Sequence, residues 1–326
     1  MLDYWNLYPS LQNRLNTVHQ VILDRMKVSN KTIQGALSDF ANSGGKMLRP
    51  ALFLLMSEFG DKNKQEKDQL IKVAASLEML HMATLIHDDV IDDSPLRRGQ
   101  ITIQSKYGKD VAVYTGDLLF TQFFELVIEI MNGSDFLAIN AAAMKGILLG
   151  ELDQMDATYN QNESIDDYLH NITGKTAELF WLACKEGAHF GCCSASVEQA
   201  AEVIGKNIGM AFQIFDDILD YTESDDILQK PALEDLAQGV YTLPLLLARQ
   251  AAPEKFTPYL NKRQHISEAD AKATAKLVVD YGGVEKAKEY AVDFTQKAIK
   301  AIEQLPDQKA KHILHHITHS LLSRHS

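Results

Sequence analysis

Two clusters of aspartate residues carry the most distinctive chemistry in this chain. Asp88-Asp89-Val90-Ile91-Asp92 and Asp216-Asp217-Ile218-Leu219-Asp220 share the pattern Asp-Asp-x-x-Asp, and each follows an apolar run with helical spacing. Carboxylates placed within one or two helical turns repel one another. Divalent cations relieve this repulsion, and a set of oxygen ligands favours Mg²⁺, which usually completes its shell with water and substrate phosphates. The clusters therefore predict a metal site that binds a diphosphate.

Basic residues occur close to these acidic features in the sequence. The segment Ser43–Pro50 contains two glycines, followed by Lys46 and Arg49 where a helix begins, and these groups could cradle an anion. Arg97 and Arg98 follow the first cluster directly, so both guanidiniums can reach phosphate oxygens near the metal ions. Each feature taken alone could be an ordinary surface turn, but together they favour a diphosphate site.

The elements that must position these residues are helices. Nearly every long segment repeats its apolar residues with a period of 3.6, and alternating strand patterns are scarce. The sequence predicts an all-α fold of ten or more helices in a single domain over residues 1–326. The longer predicted helices cover Ile71–Ile91, Thr115–Met131, Leu137–Met155, Ile165–Phe190, Ser196–Leu219, Leu243–Arg249, Glu268–Tyr281 and Val284–Gln304.

Composition narrows the functional classes. The net charge of −12 argues against a nucleic-acid-binding surface. The three cysteines, Cys184, Cys192 and Cys193, form neither a disulfide framework nor a zinc motif, which fits a reducing, cytoplasmic location. We expect no signal peptide and no transmembrane segment, because no apolar run approaches about 18 residues.

Taken in order, the motifs resemble those of the trans-type polyprenyl diphosphate synthases, in particular the catalytic subunits of long-chain, heptaprenyl-like synthases. The resemblance implies an isoprenoid-synthase-like bundle of helices around a central active-site cavity. It also implies an enzyme that joins isopentenyl diphosphate head-to-tail to an allylic diphosphate, with about three Mg²⁺ ions, or with Mn²⁺ instead. The matching residues are Gly44-Gly45-Lys46, Arg49-Pro50, Glu78, His81, His87 to Asp92, Arg97-Arg98-Gly99, Gly116-Asp117, Gly174 to Ala177, Phe212-Gln213, Asp216 to Asp220, Asp235-Leu236, Gly239 and Thr242 to Pro244.

The resemblance also implies roles for individual residues. The carboxylates that would bind Mg²⁺ or orient its ligands are Asp88, Asp89, Asp92, Asp216, Asp217 and Asp220. The groups that would hold the diphosphate of isopentenyl diphosphate are Lys46, Arg49, His81 and Arg98. The groups that would hold the allylic diphosphate are Arg97, Lys175, Thr176, Gln213 and Lys230. The implied catalytic set consists of Lys175 and all these carboxylates except Asp220.

Product length is predicted from the helix before the first cluster. Ala83, Thr84 and Leu80 lie on the side of this helix that would line a tunnel for the growing chain. Small side chains at 83 and 84 favour products longer than C15, with about six to eight isoprene units. Phe123 and Phe124 could form a tunnel floor or simply pack in the core, so a farnesyl or geranylgeranyl product stays an alternative.

Four positions depart from the family's usual pattern. Met47 replaces a frequent arginine, and Gln229, Leu233 and Val240 stand where glycine or lysine is common. The last three lie in or beside a polar stretch, 225–238, that is typical of a mobile lid. Such changes resemble those in two-component synthases, so the chain is predicted to form either a homodimer or a complex with a small partner subunit.

Other classes explain less of the sequence. An HD-type phosphohydrolase needs several histidine ligands, but the histidines are concentrated in the C-terminal tail, which is more typical of a solvated helix than of a metal site. A terpene cyclase or head-to-head synthase would not need a second cationic pocket. A subunit without activity would have no reason to retain two repulsive acidic clusters.

Overall fold

The structure, a computed structural model, describes residues 3–42, 44–222 and 233–322. These residues are almost entirely helical, which confirms the all-α prediction. The helices up to the middle of the chain are α1 (Pro9–Arg25), α2 (Lys31–Asn42), α3 (Leu48–Ser57), α4 (Lys67–Ile91), α5 (Ile103–Tyr107), α6 (Lys109–Met131), α7 (Phe136–Asp156), α8 (Ile165–Ile172), α9 (Glu178–Phe190) and α10 (Ala195–Thr222). Those that follow are Glu234–Gln238, Leu243–Ala251, Pro253–Leu260, Glu268–Asp280, Gly283–Glu303 and Lys309–Leu322.

A small hairpin follows the end of α4. Its strands are β1 (Leu96–Arg97) and β2 (Gln100–Ile101), which pair antiparallel with Leu96 opposite Ile101. The two residues of its turn, Arg98 and Gly99, have φ angles of 51° and 72°. Positive φ at both central positions is typical of the tight turns that match strand twist. The hairpin therefore fixes Arg98 in an unusual backbone conformation next to the first aspartate cluster.

The contacts divide the chain into two compact units. The first unit comprises residues 1–142, 182–202 and 305–314. Within it, α4 packs against α6, α1 and α3, and the large side chains that it buries completely include Trp5, Leu15, Phe53, Met56 and Phe123. Because α4 is surrounded in this way, the first aspartate cluster is attached to a well-packed helix.

The second unit comprises residues 143–181, 203–304 and 315–326. Its core includes Tyr168, Ile214, Phe215, Leu246 and Phe256. The helix Leu243–Ala251 packs against Gly283–Glu303, Glu268–Asp280 and Pro253–Leu260. The second aspartate cluster lies near the end of α10 in this unit, and the single domain predicted over residues 1–326 stays a prediction.

Among the residues that the structure describes, two helices, α4 and α6, are long and apolar enough to cross a membrane by length and composition alone. The most apolar window of α4 is 67% buried, and that of α6 is 39% buried. A core helix of a globular fold meets the same length and composition criteria. The contacts of α4 with α1, α3, α5 and α6 identify it as such a core helix.

Candidate active site

The first aspartate cluster ends α4, and its three motif carboxylates have different surroundings. Asp88 is half-buried and Asp92 is exposed, and their i, i+4 spacing places both on one side of the helix. Asp89 is only 3% exposed, and its Oδ1 lies 2.7 Å from Nε of Arg97. Burial raises the pKa of Asp89, and the charge of Arg97 opposes this shift. Asp88 and Asp92 are therefore the accessible carboxylates of the motif.

The second cluster shows a similar division between accessible and buried carboxylates. Asp216 is exposed, whereas Asp217 and Asp220 are 3% and 2% exposed. The hydroxyl of Tyr168 donates to Oδ2 of Asp217 at 2.5 Å, and Nε2 of Gln213 donates to Oδ1 at 2.8 Å. Burial holds the pKa of Asp217 well above its usual value. This aspartate is thus oriented through both of its carboxylate oxygens.

Lys175 and Thr176 lie in a π-helical turn, Thr173–Ala177, between α8 and α9. Such turns are rare and frequently occur at functional sites. The hydroxyl of Thr176 donates to Oε1 of Gln213 at 2.7 Å. The ammonium of Lys175 donates to Oε1 of Gln154 at 2.6 Å and lies 2.9 Å from Oε2 of Glu151. Thr176 and Gln213, both predicted to hold one diphosphate, are therefore in direct contact.

The π-helical turn lies against α7 through glycines on both sides. A Cβ atom added to Gly150 would lie 2.4 Å from the backbone nitrogen of Lys175. A Cβ atom added to Gly174 would lie 2.8 Å from the backbone oxygen of Gly146. Side chains at positions 150 and 174 would separate the two backbones, so these glycines set the distance between Lys175 and α7.

A group of cations lies near the start of α3 in the first unit. Arg49 is buried, and burial lowers the pKa of its guanidinium to about 10, so it stays charged at neutral pH. Arg98 donates a hydrogen bond to the backbone oxygen of Gly44. Burial and the charges of Arg49 and Arg98 hold the pKa of His81 well below its usual value, so the ring is neutral. These groups place two guanidiniums and a neutral ring near one another, a combination suited to an anion.

Three residues near the predicted site were given no role in it from the sequence, although Glu78 was among the residues that carry the family resemblance. Glu78 is 8% exposed; burial raises its pKa, and the charges of Arg49 and Arg98 oppose that shift. Its spacing from His81, three residues along a helix, was the available signal. The contacts of Tyr168 with Asp217 and of Gln154 with Lys175 join distant parts of the sequence, so spacing could not have indicated them.

Other predicted residues have less distinctive surroundings. Leu80 and Ala83 are 1% and 0% exposed, and Thr84 is half-buried with its hydroxyl donating to the backbone oxygen of His81 at 2.9 Å. Their role in product length stays a prediction. Lys230 lies outside the described residues, as do residues 225–232 of the predicted lid.

The accessible carboxylates suit a hard cation. In the part of the chain that the structure describes, no three His, Cys, Asp or Glu side chains lie close enough together to form a metal-binding group. Asp88, Asp92 and Asp216 instead offer carboxylate oxygens to the surroundings. Mg²⁺ typically takes only one or two carboxylates and fills its remaining positions with water and phosphate oxygens, so the accessible carboxylates of each cluster, taken separately, fit Mg²⁺ bound together with a diphosphate.

Comparisons with known proteins give a consistent result. The family described as polyprenyl synthetase matches residues 30–278, which is more than half of the chain. A geranylgeranyl pyrophosphate synthase from Lactobacillus brevis has 42% identity and a TM-score of 0.93, and 99% of each chain is covered. A polyprenyl synthase from Caulobacter crescentus, complexed with calcium and isoprenyl diphosphate, has 32% identity and a TM-score of 0.89, covering 98% of this chain and 97% of that one. Component 2 of heptaprenyl diphosphate synthase from Bacillus subtilis is 31% identical over 93% of this chain and 86% of its own length.

Proposed function

The chain belongs to the polyprenyl synthetase family and is a trans-polyprenyl diphosphate synthase, and from this premise we propose how its residues share the reaction. The double bond of isopentenyl diphosphate attacks C1 of an allylic diphosphate. The C1–O bond breaks, and its electron pair leaves with the diphosphate. A proton then leaves the isopentenyl unit, which forms the new double bond, and the released diphosphate accepts the proton.

We propose that the accessible aspartates of both clusters hold the metal ions. Enzymes of this family depend on Mg²⁺, and about three ions would stabilise the negative charge that develops on the departing diphosphate. Asp88, Asp92 and Asp216 would supply the first ligands. The buried carboxylates of Asp89, Asp217 and Asp220 would serve as further ligands or orient the others.

The basic group around Arg49 is proposed to hold the diphosphate of isopentenyl diphosphate. Arg49 and Arg98 would supply fixed charge, and Lys46 would supply a third cation. The neutral ring of His81 has one N–H donor, so it would contribute a directed hydrogen bond rather than a charge. This combination would bind a diphosphate without placing a further positive charge beside the buried Arg49.

The allylic diphosphate is proposed to bind Arg97, Lys175, Thr176, Gln213 and Lys230. The hydrogen bonds from Thr176 to Gln213 and from Gln213 to Asp217 support this assignment, because they connect two of these residues with a metal-site carboxylate. A shift of the diphosphate would then also change the orientation of Asp217.

The observation that carries this proposal is that the half-buried Asp88 and the exposed Asp92 are accessible, whereas Asp89 between them is buried. The test is Asp88→Ala, with turnover measured as a function of Mg²⁺ concentration in the presence of isopentenyl and farnesyl diphosphates. We expect kcat to fall on the order of 10²-fold or more, as when a single preorganised electrostatic group is removed, and the Mg²⁺ requirement to rise.

Asp93→Ala is the matched control for this test. Asp93 is the residue directly after the motif. Its side chain is exposed, and its Oδ1 lies 3.0 Å from Nζ of Lys109. Its loss should change kcat by less than about twofold, because an exposed ion pair contributes little. A folded Asp88→Ala enzyme with the turnover of the parent would refute the metal-site assignment.

We propose a product longer than C15. The heptaprenyl name of the Bacillus subtilis relative supports a long chain, and the geranylgeranyl name of the Lactobacillus brevis relative supports a C20 product. Product extraction after incubation with isopentenyl diphosphate and the C10 primer geranyl diphosphate decides between them. A product that stops at C15 contradicts both.

We also propose that the chain associates, either with a second copy or with a small subunit. Tyr114, Phe124 and Ile128 on α6 are large apolar side chains with 69%, 40% and 52% exposure, and the Bacillus subtilis relative is named as one component of a synthase. Light scattering and turnover of the purified chain test this proposal. A monomer with full turnover would contradict it.

The cytoplasm is the proposed location of the enzyme. The chain's cysteines are all free, which suits a reducing compartment. Cell fractionation followed by detection of the chain in the soluble fraction tests this assignment, and recovery in the membrane fraction after a salt wash would contradict it.

A further inference from the structure

The turn at Asp3–Trp5 contacts Lys46, which lies far from it in the sequence. The indole N–H of Trp5 donates to the backbone oxygen of Lys46 at 2.6 Å, and Trp5 is completely buried. The ammonium of Lys46 lies 4.9 Å from the centre of the Tyr4 ring. Tyr4 packs edge-on against Trp5, with ring centroids 4.8 Å apart. Both the backbone and the side chain of Lys46 are therefore held by the same short turn.

The segment that carries Lys46 has an unusual backbone. Gly44 and Met47, on either side of Lys46, have φ angles of 86° and 47°. Glycine adopts a positive φ readily, but Met47 has a side chain and adopts it at an energetic cost. Arg98 donates a hydrogen bond to the oxygen of Gly44. The segment is thus held by Arg98 at its start and by Trp5 at its end.

We propose that Tyr4 and Trp5 are positioning residues that hold Lys46 ready for the diphosphate of isopentenyl diphosphate. This inference rests on the proposed role of Lys46 in binding that diphosphate. A lysine side chain loses considerable rotamer entropy when a ligand immobilises it, and a group that is already held loses less. The two aromatic residues would therefore raise affinity without contacting the substrate.

The aromatic ring of Tyr4 suits the positioning of the Lys46 ammonium better than a carboxylate would. An aromatic face attracts an ammonium through its quadrupole but carries no net charge. It can therefore restrict the position of Lys46 while leaving its positive charge available to phosphate oxygens. Trp5 donates its hydrogen bond to the backbone oxygen of Lys46. This contact therefore does not involve the ammonium group.

The experiment measures steady-state kinetics with each substrate varied in turn. Trp5→Phe keeps an aromatic ring and loses the N–H donor, and Tyr4→Leu keeps an apolar side chain and loses the ring face. For each variant we expect the KM for isopentenyl diphosphate to rise about three- to tenfold. The KM for the allylic diphosphate and kcat should each stay within about twofold of the parent.

Two controls separate positioning from general disturbance of the turn. Tyr4→Phe keeps the ring face and should retain the parent KM for isopentenyl diphosphate. Leu7→Ala truncates a side chain that is 77% exposed in the same stretch, and it should also retain the parent value. An equal rise of KM in the controls and in Tyr4→Leu would overturn the proposal.

Lys46→Ala, alone and combined with Tyr4→Leu, distinguishes this inference from the proposed function. If Lys46→Ala leaves the KM for isopentenyl diphosphate unchanged, the proposed role of Lys46 fails, and the positioning role fails with it. If Lys46→Ala raises this KM but Trp5→Phe and Tyr4→Leu do not, only the positioning role is overturned.

Positioning predicts that Tyr4→Leu adds nothing in the Lys46→Ala background, so additive effects contradict it. Should Trp5→Phe fail to fold, the half-exposed Tyr4 still provides this test.

Discussion

Tyr168 and Asp217 form a buried hydrogen-bonded pair, with the phenol of α8 donating to the carboxylate of α10 at 2.5 Å. The two residues are 4% and 3% exposed. The other carboxylate oxygen accepts a hydrogen bond from Gln213. The orientation of Asp217 thus depends on a second helix as well as on its own, although no motif in the sequence includes Tyr168.

Tyr168→Phe should destabilise the chain and weaken metal binding. Loss of the hydroxyl leaves a buried oxygen of Asp217 without this donor, which typically costs about 1–3 kcal/mol of unfolding free energy. The carboxylate would also lose part of its orientation, so the Mg²⁺ concentration for half-maximal turnover should rise. Urea unfolding and a Mg²⁺ titration measure the two effects. Tyr241→Phe is the control: it removes a hydroxyl from another buried tyrosine of the same unit, and its Mg²⁺ requirement should equal that of the parent. If Tyr168→Phe also has the Mg²⁺ requirement of the parent, the prediction is contradicted.

The contact between α7 and the π-helical turn gives a second prediction. In Gly150→Ala the new methyl group would lie 2.4 Å from the backbone nitrogen of Lys175. Backbone atoms cannot move aside as a side chain can, so we expect a loss of about 1–3 kcal/mol in unfolding free energy. Displacement of Lys175 should also raise the KM for the allylic diphosphate.

Gly146→Ala is the matched control on the same helix, one turn away. A Cβ atom at position 146 would have its nearest neighbours at 3.6 Å, in the side chain of Glu178. This is ordinary van der Waals contact, and alanine favours a helix over glycine by up to about 1 kcal/mol. Gly146→Ala should therefore be as stable as the parent or more stable. Equal stability of Gly150→Ala and the parent would show that the close approach does not constrain the fold.

Features that local periodicity determines were predictable from the sequence. The predicted ends of α4 and α6, at Ile91 and Met131, coincide with the observed ends, because long amphipathic or apolar periodicity continues to the last turn. The segment Ile165–Phe190 was predicted as one helix, but it contains α8, the π-helical turn and α9. The local change in helical geometry lies where glycines of α7 approach, and such a contact between distant segments has no local signal.

In the candidate site, too, local spacing was predictable from the sequence and contacts between distant segments were not. The i, i+4 spacing of Asp88 and Asp92 was sufficient to place them on one side of a helix. The contact between Trp5 and Lys46 depends on the path of the chain between α1 and α3. It could not be deduced from the spacing of the two residues, because loops between helices leave the direction of each helix open.

A buried acid away from both clusters allows a prediction about pH. Glu186 is completely buried on α9, and Nδ2 of Asn140 donates to its Oε1 at 2.6 Å. Burial raises the pKa of Glu186 from 4.5 to about 8. Between these two values the folded chain retains a proton that the unfolded chain has lost. The contribution of Glu186 to stability therefore falls as the pH rises from 4.5 to about 8.

Glu186→Gln should remove this pH dependence. A glutamine keeps the acceptor for Asn140 and carries no ionisable proton. From pH 6 to pH 9 the unfolding free energy of the parent should decrease by roughly 3 kcal/mol relative to that of the variant. Urea unfolding of both proteins across this range measures the difference. A constant difference at every pH would show that Glu186 titrates normally in the folded chain.

The prediction about product length concerns the helix that carries the first cluster. In Ala83→Phe a ring is added to a side of α4 that is proposed to line the path of the growing chain, at a position with 0% exposure. The ring should block elongation and shorten the main product, and overpacking should cost about 1–3 kcal/mol of stability.

Ala74→Phe is the control, because Ala74 is equally buried and lies nine residues earlier, on roughly the opposite side of the helix. It should have a similar stability loss with an unchanged product. Product lengths are measured by extraction and chromatography after incubation with isopentenyl and farnesyl diphosphates. If Ala83→Phe folds and makes the parent distribution of products, Ala83 does not line the path of the growing chain.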